Sequence, residues 1–468
     1  MDRRRLIQHG LAGVAALAAP RGGLLADPAS VTASVARALA ALSADRPYLE
    51  TAVRAAHWLE RTAQRSRDGV FWSADPDRPA EVGYDLYNGT TGVLPFWVEL
   101  HAATGEPRAL AMVQGAADHL VRALANVNPA DAGLYTGVAG MAWALGLAQA
   151  ATGDVAHGTA ARRALAMVHA AARQEANGPG GAMTARWMDS TDVISGRAGT
   201  GFALLWAHRA LGDAASLGLA RAAGMALLTD GLPGPQPGQL RWTVNATIPR
   251  EYPNFSHGTA GVATFLAQLH AATGEAAFLD GALAGARYLA AIATPTAGDG
   301  RMVHHSTPGN EGLFYMSWCH GPAGTARLFH TLARVTGDAS HTAMADRLAR
   351  ATVAMRVPER SPGFWSNVGQ CCGNCGVSEY FVARHERYGD AGALAFAERV
   401  ARDAIARGVR DAEGMKWVQA ENRTSPDAVV AQTGLMQGAA GVGLAMLHLD
   451  GAIAGRARRV VVPDAGVV

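Results

Sequence analysis

One short pattern recurs seven times along the chain: a residue, a glycine, two residues and a second glycine. The copies run from Asn88 to Gly92, Thr136 to Gly140, Ser195 to Gly199, His257 to Gly261, His320 to Gly324, Cys372 to Gly376 and Gln437 to Gly441. Their first glycines stand 48, 59, 62, 63, 52 and 65 residues apart. Thirteen residues beyond the second glycine of each of the first six copies comes another glycine, followed by an acid: Gly105-Glu106, Gly153-Asp154, Gly212-Asp213, Gly274-Glu275, Gly337-Asp338 and Gly389-Asp390. Self-similarity at this period is the mark of a repeat architecture. It also accounts for a composition of 55 glycines against 21 prolines in 468 residues, which predicts repeated tight turns rather than linkers.

A helix of about twelve residues rises about 18 Å and ends well on a glycine in the left-handed conformation. The acid after that glycine starts or charges the next helix. Segments inside the interval, such as Val262 to Leu269 and Met141 to Leu147, are apolar almost all round, as buried helices are. Segments after the Gly-acid pair, such as Arg162 to Ala171 and Arg347 to Met355, are amphipathic. Each repeat therefore reads as an outer amphipathic helix, a variable loop, the glycine motif and an inner buried helix. The first outer helix is expected over Pro47 to Gln64 and the last inner helix over Ala439 to Leu449. No polar capping repeat stands at either end, so the expected fold is all-α, an (α/α)7 toroid or barrel spanning 45–455, with a tail over 456–468. The seven motifs then converge on one face of the ring. Loops carrying Arg241-Trp242-Thr243 and Lys416-Trp417-Val418 read as short hairpins over that face, with Trp packing the loop onto the barrel.

Arg3, Arg4 and Arg5 precede Leu6 and Ile7, and Gly10 to Ala19 carries no charge. That is the basic and apolar pattern of an export signal over 1–26, with Ala16, Ala18 and Ala26 as cleavage positions. The paired arginines resemble a twin-arginine signal, which implies export of the folded protein to the periplasm or beyond. The apolar run is too short to span a bilayer, so stable membrane insertion is not expected once the signal is removed. A net charge of +2 excludes a broad nucleic-acid surface.

Four cysteines are too few for a disulfide scaffold, which makes their positions the informative feature. Alignment on the first glycine puts Cys319 and Cys371 at the same offset in the fifth and sixth repeats. Cys372, His320 and His257 each stand one residue before their glycine. Neighbouring repeats bring these groups to one rim, where three thiols and two imidazoles suit Zn2+ by softness and number. The alternative is a disulfide from Cys319 to one of the adjacent pair, since Cys371 and Cys372 are poorly placed to join each other. Cys375, at an inner-helix start, reads as a small buried filler, with a fourth metal ligand as the alternative. His304 and His305 read as plain surface or loop residues. Asp85 and Asp192 each lie four before their glycine. They are expected to brace a loop, and an Asp192 that faces the metal accepts a proton or orients His257.

Ser317-Trp318-Cys319-His320-Gly321 and Gln370-Cys371-Cys372-Gly373, with Asp192-Val193-Ile194-Ser195-Gly196 and Phe255-Ser256-His257-Gly258, resemble the lanthionine synthetase C-like family over nearly the whole chain. The resemblance implies a seven-fold toroid with zinc at one rim, held here by Cys319, Cys371 and Cys372. It implies activation of a thiol for addition to a dehydroamino acid, with thioether formation. His257, Asp192 and His320 are then the proton-transfer residues. No separate organic cofactor is expected. The expected partner is a dehydrated peptide or a small thiol and dehydroamino acid, handled by a monomer, and dehydration falls to another enzyme. Three positions differ from the family's usual pattern: Cys372 stands where His is usual, Tyr315 where peptide cyclases commonly carry Arg, and His320 where some have Tyr. Some synthetases likewise use three cysteines. The alternatives are a carbohydrate-active α/α toroid and a non-catalytic zinc-containing peptide-binding protein.

Overall fold

The computed structural model describes residues 46–465 apart from 246, 249, 360–366 and 413. The export signal expected over 1–26 lies outside the described residues. Fourteen α-helices are described, in chain order α1 (Pro47–Thr62), α2 (Thr90–Thr104), α3 (Pro107–Ala123), α4 (Val138–Thr152), α5 (Val155–Ala171), α6 (Arg197–Leu211), α7 (Ala214–Asp230), α8 (Thr259–Thr273), α9 (Ala276–Ile292), α10 (Pro322–Thr336), α11 (Ala339–Ala354), α12 (Asn374–Tyr388), α13 (Ala391–Ala406) and α14 (Ala439–Ala454). The even-numbered helices form the inner ring, each packed on the next, and α14 closes it against α2. Each inner helix packs on the outer helix that follows it across the Gly-acid turn. The seventh pair is made from the two ends of the fold, because α14 packs on α1. Arg46 Nε reaches Asp450 Oδ1 at 3.1 Å across that seam. The expected seven inner and seven outer helices are therefore present as a closed toroid. Among the described residues, no helix is long and apolar enough to cross a membrane.

The glycines divide into two kinds. Gly105, Gly153, Gly212, Gly274, Gly337 and Gly389 end their inner helices at φ between 65° and 75°. That left-handed backbone is strained for any residue with a Cβ. The seventh inner helix runs five residues past the expected Leu449 and stops at Gly455, also left-handed (φ 67°). The next acid caps the outer helix where it is Asp: Asp154 Oδ1 accepts from Ala156 N at 2.8 Å, and Asp338 Oδ1 from Ser340 N at 2.8 Å. Glu106 and Glu275 make no such side-chain cap.

The fourteen motif glycines are not turn residues of that kind, since none has positive φ. Their requirement is close approach. The loop before each motif folds under the start of the inner helix and offers its carbonyls to the orphan N–H groups there: Val138 N donates to Asp131 O, Arg197 N to Ser190 O, Asn374 N to Asn367 O and Ala439 N to Gln432 O. A Cβ on the second glycine of any motif would fall on the carbonyl oxygen six residues earlier, that of Leu86, Leu134, Val193, Phe255, Trp318, Gln370 or Leu435.

Six two-stranded antiparallel hairpins decorate the loops: β1–β2 (Gln64–Ser66, Gly69–Phe71), β3–β4 (Arg173–Glu175, Thr184–Arg186), β5–β6 (Leu232–Pro233, Leu240–Arg241), β7–β8 (Thr294–Thr296, Gly300–Met302), β9–β10 (Val409–Arg410, Met415–Lys416) and β11–β12 (Val418–Ala420, Val429–Ala431). Trp72, Trp187, Trp242 and Trp417 are buried beside four of them. Each donates its indole N–H at 2.7 Å to a carbonyl in or near the last turn of the preceding outer helix: Leu59, Val168, Leu227 and Ala404. These tryptophans pack loops onto the barrel, as expected.

The tail departs from a free extension. Residues 456–465 turn into the bore from the face opposite the motifs. Arg459 N and Val460 N donate to Glu99 Oε2 of α2 at 2.8 and 2.9 Å, and Asp464 meets Arg327 of α10 at 3.4 Å. Arg458 reaches Glu379 of α12 at 2.8 Å, and Glu379 Oε1 also meets His448 Nδ1 of α14 at 2.6 Å. Burial pushes the Glu379 carboxyl up, but His448 and Arg458 overcome it and bring the pKa down to about 2. Burial opposes charge on His448 too, and Glu379 raises its pKa above the ordinary value.

Gly324→Ala sets a Cβ on the Trp318 carbonyl and should destabilise by about 2–3 kcal/mol in chemical denaturation. Gly218→Ala, in open space on α7, should be neutral or stabilise by up to about 1 kcal/mol. The depressed Glu379 contributes stability that is present above its unfolded pKa of about 4.3 and is lost as pH falls toward 2. The raised His448 contributes stability that is full below about pH 6.5 and is lost as pH rises through its folded pKa. Denaturation midpoints against pH should therefore show Glu379→Gln less stable at pH 6 and less sensitive than wild type between pH 4 and 2.

Candidate metal centre

A closed circuit of backbone hydrogen bonds runs around the motif face and places the site. It uses the residue two before each first glycine. Tyr87 N donates to Tyr135 O, Tyr135 N to Ile194 O, Ser256 N to Cys319 O, Cys319 N to Cys371 O, Cys371 N to Met436 O and Met436 N to Tyr87 O, all at 2.9–3.0 Å. Between the third and fourth repeats the donor is Val193, one residue earlier, which reaches Ser256 O at 3.1 Å. Consecutive members of this circuit are hydrogen-bonding neighbours, so Cys319 and Cys371 are joined backbone to backbone.

Their side chains meet with that of Cys372. Cys319 Sγ lies 3.4 Å from Cys372 Sγ, Cys372 Sγ lies 3.5 Å from Cys371 Sγ, and the three sulfurs all fall within 4.8 Å of one another. All three are buried and none is in a disulfide. Ligands at about 2.3 Å from a tetrahedral zinc stand about 3.8 Å apart, so the trio has the spacing of three ligands and leaves a fourth position. Burial, followed by the neighbouring thiols, pushes the Cys371 thiol well above its ordinary pKa. Three buried sulfurs this close disfavour thiolate charge on one another, and a bound cation reverses that balance. The donor set thus fits the metal expected from the sequence. Cys375 stays outside the group, with its amide N bonded to Val368 O on the first turn of α12.

Polar groups border the sulfurs. Gln437, which precedes the first glycine of the seventh motif, donates to Cys372 Sγ at 3.8 Å and to the Tyr87 hydroxyl at 2.9 Å. Ser317 Oγ lies 3.5 Å from Cys319 Sγ. Tyr315 is held up at a pKa of about 12 by burial, which outweighs Arg423 beside its hydroxyl, with the Cys372 and Cys319 thiols adding to the rise. Gln437 and Tyr87 carry no signal of a site in the sequence alone, beyond their place in the aligned motifs.

Asp192 and His257 come together as the sequence suggests. Asp192 Oδ1 accepts from Ser195 N at 3.0 Å, which closes the turn before the motif, and Asp85 Oδ1 does the same for Asn88 N at 2.7 Å. The second oxygen of Asp192 meets His257 Nδ1 at 2.5 Å. Asp192 is 1% exposed and His257 28%, so the carboxylate is sealed while the ring reaches outward. His320 faces His257 with ring centroids 5.6 Å apart, and Tyr252 stands against both. Among the described residues the group of mutually close ligand atoms is the three thiols, and neither imidazole belongs to it.

One expectation is corrected. His304 and His305 are not surface residues, being 9% and 8% exposed. Their loop folds inward because His305 N donates to Leu313 O at 2.7 Å, Thr307 pairs with Glu251, and Asn254 Nδ2 donates to His304 O at 2.8 Å. His305 then stacks on His320 at 4.4 Å. The repeat alignment gives no position to this loop, so it held no signal.

The family model for lanthionine synthetase C-like proteins matches residues 80–452. The chain belongs to that family. No curated protein sequence matches it. Among solved structures, nisin cyclase is similar at 14% identity over 88% of this chain and 95% of its own, with a TM-score of 0.59, which shows a shared fold. The Lin0763 protein of Listeria innocua is 12% identical over 87% and 97%, TM-score 0.49. An α-mannanase of Bacteroides thetaiotaomicron is 10% identical over 88% and 97%, TM-score 0.48.

The thiol trio should bind about one equivalent of zinc per chain, measured by elemental analysis of the purified protein. Cys371→Ala should lose most of it, whereas Cys375→Ala should keep it.

Proposed function

We propose that this lanthionine synthetase C-like protein is a zinc-dependent enzyme that adds a thiol to a dehydroamino acid and forms a thioether. The observation that carries the reading is the pairing, on one rim, of three buried thiols with a sealed carboxylate and its imidazole. Zinc held by Cys319, Cys371 and Cys372 would supply the Lewis acidity that keeps an incoming thiol deprotonated at neutral pH.

In the addition, sulfur bonds to the β-carbon, the double-bond pair moves to the carbonyl side as an enolate, and the α-carbon then takes a proton. Asp192 fixes His257 through Nδ1, which leaves Nε2 as the nitrogen that exchanges protons. His257 accepts the proton released from the thiol, and Asp192 stabilises the imidazolium so formed. His320, on the next repeat, is the second group placed to return a proton to the α-carbon. The substrate class is a dehydrated peptide or a small dehydroamino acid with a thiol, and the working unit is a monomer. Delivery by a twin-arginine route belongs to the same reading and rests on Arg3, Arg4 and Leu6.

A glycoside hydrolase on this fold would need paired carboxylates at the rim. Of the two acids aligned there, Asp85 closes its own turn and Asp192 is bound to His257.

Mass spectrometry of thiol addition to a dehydroalanine acceptor tests the proposal. Asp192→Asn and His257→Ala should lower kcat by about 10²–10⁴ with zinc content unchanged, while Cys371→Ala loses both. A wild type holding one zinc but giving no adduct with peptide or small acceptors would point to the non-catalytic binding protein instead.

A further inference from the structure

The seven residues that precede the first motif glycines differ in how their side chains are held. His257 is fixed by Asp192, which stands four before Gly258's counterpart in the neighbouring third repeat, at the position aligned with Asp85. For His320 the equivalent position, four before Gly258 in the neighbouring fourth repeat, is Asn254, whose amide serves the His304 carbonyl at 2.8 Å and the Thr325 hydroxyl at 2.8 Å. The same stretch of chain brings an imidazole to His320, from the loop after β8. His305 lies nearly parallel to His320, with an interplanar angle of 25° and 4.4 Å between centroids.

His305 is itself held on several sides. Its Nδ1 is 3.1 Å from Ser306 Oγ, which accepts from Asn310 Nδ2 at 3.0 Å, and Ser306 is fully buried. Tyr315 packs against the ring at 4.6 Å, and Tyr252 meets it edge-on at 5.6 Å. A buried loop that clamps one ring and presents its flat face to another supplies orientation at low entropic cost.

We infer that His305 is a positioning residue, which sets the plane of the His320 imidazole as Asp192 sets that of His257. This rests on the thiol-addition reading, since it gives His320 a place in proton transfer. The role is carried by ring stacking, so it belongs to the shape of the His305 side chain more than to its nitrogens.

The test uses the full-length, zinc-loaded protein with His305→Ala and His305→Phe, the second keeping a flat ring. His305→Ala should lower kcat about 10- to 100-fold, the scale expected from misplacing a reacting group, with KM and zinc content within about twofold. His305→Phe should recover kcat to within about threefold. In parallel, the His320 ring resonances, assigned by comparison with His320→Gln, should shift in His305→Ala and move back in His305→Phe. An unchanged kcat in His305→Ala overturns the inference. So does a joint fall of kcat, zinc content and thermal midpoint that Phe does not restore, which marks a merely structural residue. If wild type makes no adduct while the His320 resonances still respond as described, the positioning stands and the thiol-addition reading falls.

Discussion

Backbone hydrogen bonds pass from one motif to the next around the mouth of the toroid and return to their start when Met436 N meets Tyr87 O. Everything that defines the site hangs on this circuit. To let neighbouring loops approach so closely, each motif tucks its own loop carbonyls under the inner helix, and that contact leaves no room for a Cβ on the second glycine. The circuit then fixes the spacing of whatever side chains stand on it or beside it. Cys319 and Cys371 occupy equivalent places on adjacent repeats, and Cys372, His257, His320 and Gln437 occupy the next place along. A rim built this way is a rigid frame with seven interchangeable positions, in which chemistry is chosen by side chain while the backbone stays constant.

The frame explains why so much was readable in the sequence. Helix count, the division into inner and outer helices, and the convergence of the thiols all follow from local signals repeated at a fixed offset. The pairing of Asp192 with His257 was also within reach, because both lie at aligned positions in neighbouring repeats. Contacts between segments with no repeat register were not legible. The loop carrying His305 turns inward through bonds to Leu313, in its own return, and to Glu251 and Asn254, in the stretch before α8. The tail enters the bore through Glu99, Arg327 and Glu379, on three different helices. The end of α14 was misplaced because Gly451 stands inside the helix and the left-handed stop is Gly455. The motif glycines were read as turns, while the structure assigns them to close packing against carbonyls.

The two ends of the toroid are chemically unlike. At the motif face lie three buried thiols and the partly exposed ring of His257. At the other, ion pairs from the tail join inner helices that are remote in sequence. Arg327 links the two, since it meets Asp464 of the tail and lies 5.2 Å over the ring of Phe255, two residues before His257. The floor beneath the site is thereby braced from the tail.

Seam placement has a consequence for how the protein comes into being. The helix pair that completes the ring joins α1, made first, to α14, made last. Cys371 takes its backbone partner from Met436 in the final repeat. A ribosome-bound chain that already holds all four cysteines still lacks that partner, so its thiols emerge before the frame that spaces them. The spacing of the three thiols thus depends on a repeat that is synthesised after all of them.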